Sequence, residues 1–209
     1  MILNFVTLFP GHLNLNGDQA NLDVLSKRLS WFGHEAQITS VDKGHTPSTN
    51  ADLIFIGHGS IAAWKDIEPH LEAQLIWIKE QLRSGALLFA VASGYERAIS
   101  MDLFQGSLNE TARISKFEIV ESRLGEVLGY LNAATDAPVF QVQDGNIGTQ
   151  LHGPVMAKNP RLADQLLSEM LKRHGSELNE PLAGIKNDVD QVADIVEKVW
   201  ELERKLASE

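Results

Sequence analysis

Apolar residues along this chain follow two alternating rhythms. A β-rich segment at 2–8 and short unbroken apolar runs at 53–56 and 86–91 are bounded by glycine, proline or aspartate and read as buried strands. Between them, Leu22, Leu25, Leu29 and Phe32 recur at helical spacing, as do Ile67, Leu71, Leu75, Ile78 and Leu82. Asp18 predicts an N-cap for the first of these helices, and Gly33 and Gly85 predict the stops. A further short strand is expected at 37–41, followed by a polar loop at 43–50. Strands that are apolar without alternation are buried on both faces, so the pattern predicts a doubly wound α/β fold with a mostly parallel sheet.

Beyond residue 96 the rhythm loosens. Segments 116–122, 127–132 and 139–142 read as short strands of an antiparallel meander or edge. Asn159 and Pro160 open a helix with Leu162, Leu166, Met170 and Leu171 turned inward and Gly175 at its end. A polar link at 176–186 leads to a last helix at about 188–206, whose Val189, Val192, Val196, Val199, Trp200 and Leu206 form an apolar stripe opposite a charged face. The expected organisation is one domain over 1–175, with the link and the added C-terminal helix of 176–209 packed on it.

Composition narrows the functional classes. The 209 residues carry a formal net charge of −10, which argues against a nucleic-acid surface. No apolar run approaches the ~20 residues that span a bilayer, and the apolar start lacks a basic leader, so a cytoplasmic protein is expected. There is no cysteine, which removes disulfides, thiolate metal sites and thiol nucleophiles together. His12, His45 and His70 lack metal-ligand spacing, and neither a metal nor a cofactor is expected.

In an open α/β sheet, ligands bind beyond the carboxyl ends of the strands. Three segments should converge there: the loop Gly57, His58, Gly59, Ser60; the turn Ala92, Ser93, Gly94, Tyr95; and the segment carrying His152. Residues 87–96 run from an apolar strand through a small-residue turn into a helix, the layout of a nucleophile elbow. The tip of that elbow is Ala92, which cannot attack anything. By itself the turn explains Gly94 through tight backbone, and His152 reads equally well as a structural hydrogen-bonding residue.

With these motifs in view, the chain resembles the class I glutamine amidotransferases of the cobyric acid synthase type, and within them the amidotransferase subunit of lipid II isoglutaminyl synthase. The early segment Leu13, Asn14, Leu15, Asn16, Gly17, Asp18, Gln19, Ala20, Asn21 is similar to that family's Leu-Asn-Ile-Tyr-Gly-Asp-Arg-Gly-Asn. Phe55, Ile56, Gly57, His58, Gly59 is similar to its Phe-Ile-Gly-Gly-Gly loop, and Leu151, His152, Gly153, Pro154 with Lys158, Asn159, Pro160 to the segment of its catalytic histidine. The resemblance covers roughly 1–171. It implies a flavodoxin-like fold and glutamine hydrolysis, in which a cysteine thiolate attacks the side-chain amide, a histidine carries the proton and backbone amides hold the oxyanion. The ammonia would pass to a Mur-ligase-like subunit.

The family's elbow reads Cys-Gly-Gly-Tyr-Gln where this chain has Ala92, Ser93, Gly94, Tyr95, Glu96. The resemblance therefore implies a degenerate nucleophile position at Ala92, a descendant of the base at His152, and a pocket of Gly57, His58, Gly59, Ser93, Gly94 and Tyr95 in which glutamine is the possible ligand. Three readings stay open: a subunit that has lost its glutaminase chemistry, an active amidotransferase represented by a Cys-to-Ala variant at Ala92, and a distinct hydrolase using Ser93 and His152.

Overall fold

The computed structural model describes residues 1–47 and 49–207. Ser48, inside the loop expected at 43–50, and the last two residues of the C-terminal segment lie outside the described residues.

The first half alternates strand and helix: β1 (Ile2–Leu8), α1 (Ala20–Trp31), β2 (Glu35–Val41), β3 (Leu53–Ile56), α2 (Ile61–Arg83), β4 (Leu87–Val91) and α3 (Ser93–Ser100). A long hairpin follows, β5 (Glu110–Ser122) and β6 (Gly125–Thr135), then β7 (Phe140–Gln143), β8 (Asn146–Thr149) and β9 (Leu151–His152). The chain continues through α4 (Val155–Lys158), α5 (Pro160–Arg173) and α6 (Lys186–Ala207). The main sheet has the order β2-β1-β3-β4-β8-β7, parallel except where β7 runs antiparallel to β8. A second sheet has the order β5-β6-β9 and is antiparallel.

β3 and β4 are buried at every residue, as strands covered on both faces must be. One core layer joins Leu3, Phe5, Phe55 and Phe89 to α1 and α5. The other joins Val6, Ile54, Ile56 and Leu88 to Trp64, Ile67 and Ile78 of α2. The doubly wound α/β fold expected from the sequence is the one observed.

Two details differ, the cap at Asp18 and the missed strand β8, and two more fill in the picture. Asp18 does not cap α1: the cap position is Gln19 with no side-chain bond, and the Asp18 carboxylate faces the amides of Asn16 and His58 instead. Of the two placements expected for 139–142, the strand takes the antiparallel edge, of the main sheet, because β8, a strand the pattern did not reveal, pairs β4 on one side and β7 on the other. The turn between β7 and β8 has positive φ at both Asp144 and Gly145, as a tight hairpin requires. Finally, α6 lies on the molecule with no buried residue, and its apolar stripe is half-covered. It is held by Trp200 Nε1 donating to the Lys158 carbonyl at 2.7 Å and by the Lys158 ion pair with Glu203 at 2.6 Å.

Candidate functional site

The carboxyl ends of β3 and β4 set the site. Ala92 follows β4 directly and sits at φ 48°, ψ −123°, with its amide donating to the Thr149 carbonyl of β8 at 2.7 Å. A non-glycine residue held there is strained, and such strain persists only where the surroundings fix the turn. The next turn packs without slack: a Cβ on Gly94 would lie 2.4 Å from the Gly57 carbonyl oxygen and 2.6 Å from that of Ile56. Gly57 is equally confined, since a Cβ there would lie 2.0 Å from the Leu13 carbonyl oxygen. Tyr95 is fully buried, its ring against Gly148 and Phe104, and burial pushes its phenol pKa up. It is therefore a packing residue of the elbow, and its hydroxyl donates to Gln141.

The polar groups around this turn are engaged with one another. Ser93 Oγ accepts from Trp64 Nε1 at 2.7 Å and from the Gly59 amide at 3.1 Å, and it donates to His58 Nδ1 at 2.8 Å. Its two lone pairs and its proton are all committed. The His58 ring also receives the Ser93 amide at 3.4 Å, so Nδ1 is the acceptor and the ring is neutral. Burial first, and the neighbouring His152 second, lower the His58 pKa to about 4. The rings of His58 and His152 meet edge to face, centroids 4.7 Å apart.

His152 is engaged at both nitrogens. Nε2 lies 3.0 Å from the Asn132 carbonyl of β6, and Nδ1 pairs with the Asn16 side chain. Asp18, fully buried, accepts weakly from the Asn16 and His58 amides at 3.4 Å each, and its other oxygen has no partner. Burial raises its pKa. Two buried asparagines brace the loop that follows His152. Asn21 accepts from the Met156 amide at 2.9 Å and donates to the Gly153 carbonyl at 3.3 Å; Asn159 exchanges bonds with both the amide and the carbonyl of Leu128.

A cavity of about 640 Å³ opens between the elbow and the hairpin. His58, Gly59, Ala92, Ser93 and His152 line it, so the structure brings together the segments the sequence pointed to. Sequence reasoning missed the opposite wall. There Thr135 Oγ1 reaches across to donate to Glu96 of α3 at 2.7 Å and accepts from Gln150 Nε2 at 2.8 Å, and Arg113 donates to Asn132 at 2.8 Å. These bonded partners sit 15 to 39 positions apart, in α3, β5, β6 and the residue between β8 and β9, and no local spacing marks them. The described residues hold no group of three or more His, Cys, Asp or Glu suited to a metal, and no described helix is long and apolar enough to cross a membrane.

Solved structures share this architecture. A glutamine amidotransferase from Thermotoga maritima matches at a TM-score of 0.50 with 12% identity, over 99% of this chain and 94% of that one. A protein assigned as a transcriptional regulator from Vibrio parahaemolyticus matches at 0.50 with 15% identity, over 84% and 96% of the two chains. At these identities the likeness establishes the fold, the doubly wound α/β fold of the glutamine amidotransferases. No family model matches the chain, and no curated protein does.

Proposed function

We propose that this chain is a glutamine amidotransferase-like subunit whose glutaminase chemistry is lost, retained as the partner of a Mur-ligase-like subunit in a system of the cobyric acid synthase or lipid II isoglutaminyl synthase type. The observation that carries the reading is Ala92, a side chain without a nucleophile held at the strained tip of an intact elbow. The groups that would serve a nucleophile are also occupied. The Gly59 amide, in the loop the family resemblance assigns to the oxyanion, is spent on Ser93, and both His152 nitrogens are spent on Asn16 and Asn132. What remains is a shaped pocket able to hold glutamine without cleaving it, with little acceleration over water.

One observation favours a second reading. The elbow keeps a conformation that costs about 1–3 kcal/mol for any residue with a Cβ and that an alanine does not need. A parent enzyme with cysteine in place of Ala92 would account for it. The third reading, a serine hydrolase, fits poorly, because Ser93 is bonded to His58 rather than His152 and has no free lone pair with which to attack.

Glutamate release from glutamine, measured for the chain and for Ala92→Cys, each alone and with a Mur-ligase-like partner, separates these readings. No release from any sample, with a stable complex on size exclusion, is the expected result. Release from Ala92→Cys would overturn the loss of the supporting groups and favour the second reading.

A further inference from the structure

We infer that this chain self-associates through the outer edge of β5, forming a two-fold dimer in which two copies of β5 pair antiparallel about Phe117. β5 is the terminal strand of its sheet, and no described strand pairs with its outer edge. Its first seven residues are exposed, and Ile114 is 47% exposed. Such an edge invites pairing with another chain, and proteins that avoid this place charges along it. β5 does carry charges, Arg113, Lys116, Glu118 and Glu121, but their order is informative.

In a two-fold pairing of identical strands about an axis normal to the sheet, one residue must face its own copy and residues equally far from it face each other. With Phe117 on the axis, Lys116 faces Glu118 of the second copy, Ile114 faces Val120, Ser115 faces Ile119, and Arg113 falls opposite Glu121. Both basic residues then meet acids, each contact occurring twice. Moving the axis to the neighbouring position puts Lys116 against Lys116, and moving it the other way puts Glu118 against Glu118. Like charges directly opposite are destabilising, so those two registers are disfavoured, and the axis on Phe117 is favoured by the opposite charges it brings together.

The ladder of β5 is regular from Ile114 to Ser122, which holds the Lys116–Glu118, Ser115–Ile119 and Ile114–Val120 pairs, while Arg113 lies in its one irregularity, between Glu110 and Ile114. Lys116 and Glu118 already form a 2.6 Å ion pair within the chain, so both ends are positioned for exchange across the axis. The symmetry also puts the two copies of α6, which contacts β5, on one face of the continued sheet, and α6 exposes Ile195, Leu202 and Leu206. The inference does not depend on the glutaminase question.

The absence of cysteine gives a clean test. Chains carrying Lys116→Cys are mixed with chains carrying Glu118→Cys under mild oxidation; both side chains reach solvent. A disulfide-linked dimer from the mixture, and none from either variant alone, is expected, because directly opposed Cβ atoms lie about 4.5–5.5 Å apart. Sedimentation of the unsubstituted chain should show a dimer. Lys116→Glu should weaken it by about tenfold or more, and Lys116→Glu with Glu118→Lys should restore it. A chain that sediments as a monomer at high micromolar concentration, or a mixture that cross-links no better than either variant alone, overturns the proposal.

Discussion

The two walls of the cavity are built on different terms. The elbow wall, Ala92 to Tyr95 against Gly57 and β8, is buried except at Ser93 and is defined mainly by steric exclusion at Gly57, Gly94 and Tyr95. The facing wall, from β5 and β6 with Gln150 and His152, is half-exposed and defined by side-chain hydrogen bonds. Packing of the first kind tolerates almost no substitution, whereas bonds of the second kind can be rewired one residue at a time. That difference makes the elbow wall the fixed half of the cavity and the facing wall the adjustable one.

The sharpest way to break the comparison is Gly94→Ala. Its Cβ would enter two backbone carbonyls, and the expected loss is about 3 kcal/mol or more of stability in denaturant unfolding. A loss as small as that of a surface substitution would mean the elbow is not sterically locked. Ser93→Ala should cost less, about 2 kcal/mol, because it strands Trp64 Nε1 and the Gly59 amide without an acceptor. Ala92→Gly should raise stability by about 1 kcal/mol by relieving the positive φ, visible as a higher melting temperature. An unchanged or lower melting temperature would show that the turn carries no strain.

The smallest effect tests the polar half through pH. The unfolded His58 ring takes a proton near its ordinary value, 6.5, but the folded ring does so only near 4. Between these values acid favours the unfolded chain, so the contribution is complete above 6.5 and lost as pH falls toward 4. Discounted for the solvent reaching a half-buried ring, it amounts to about 1 kcal/mol. Asp18, whose pKa is raised, acts with the opposite sign, since acid relieves its buried charge. The His58 contribution is therefore read as the difference in denaturation between the unsubstituted chain and His58→Gln at pH 7 and pH 5. Equal pH dependence in both would remove it.

Much of the elbow wall was legible along the chain. The unbroken run ending at Val91, the small residues after it and the glycines at 57 and 59 are local signals, because a buried strand and a tight turn constrain residues next to one another. The facing wall was not. A half-exposed edge strand gives no periodic sign, so β5 is longer than the pattern suggested. β8, on the other side of the site, is buried after Asn146 but has only four residues, Asn146 to Thr149 with a glycine among them, too short and too polar to read as an apolar run. Asp18 followed the same logic: beside a helix start it reads as a cap, and only folding brings the His58 amide within its reach.

The sequence by itself determined that Ala92 cannot attack, and it determined the alternation of strand and helix that carries Ala92 to the tip of a turn. Both follow from the identity and order of neighbouring residues. Only the tertiary structure decided what the other groups do: Ser93 bonds His58 and Trp64, His152 bonds Asn16 and Asn132, and Gly59 has no amide to spare. A side chain's chemistry depends on which lone pairs and protons remain uncommitted, and those commitments are made across the fold by residues as much as 136 positions apart.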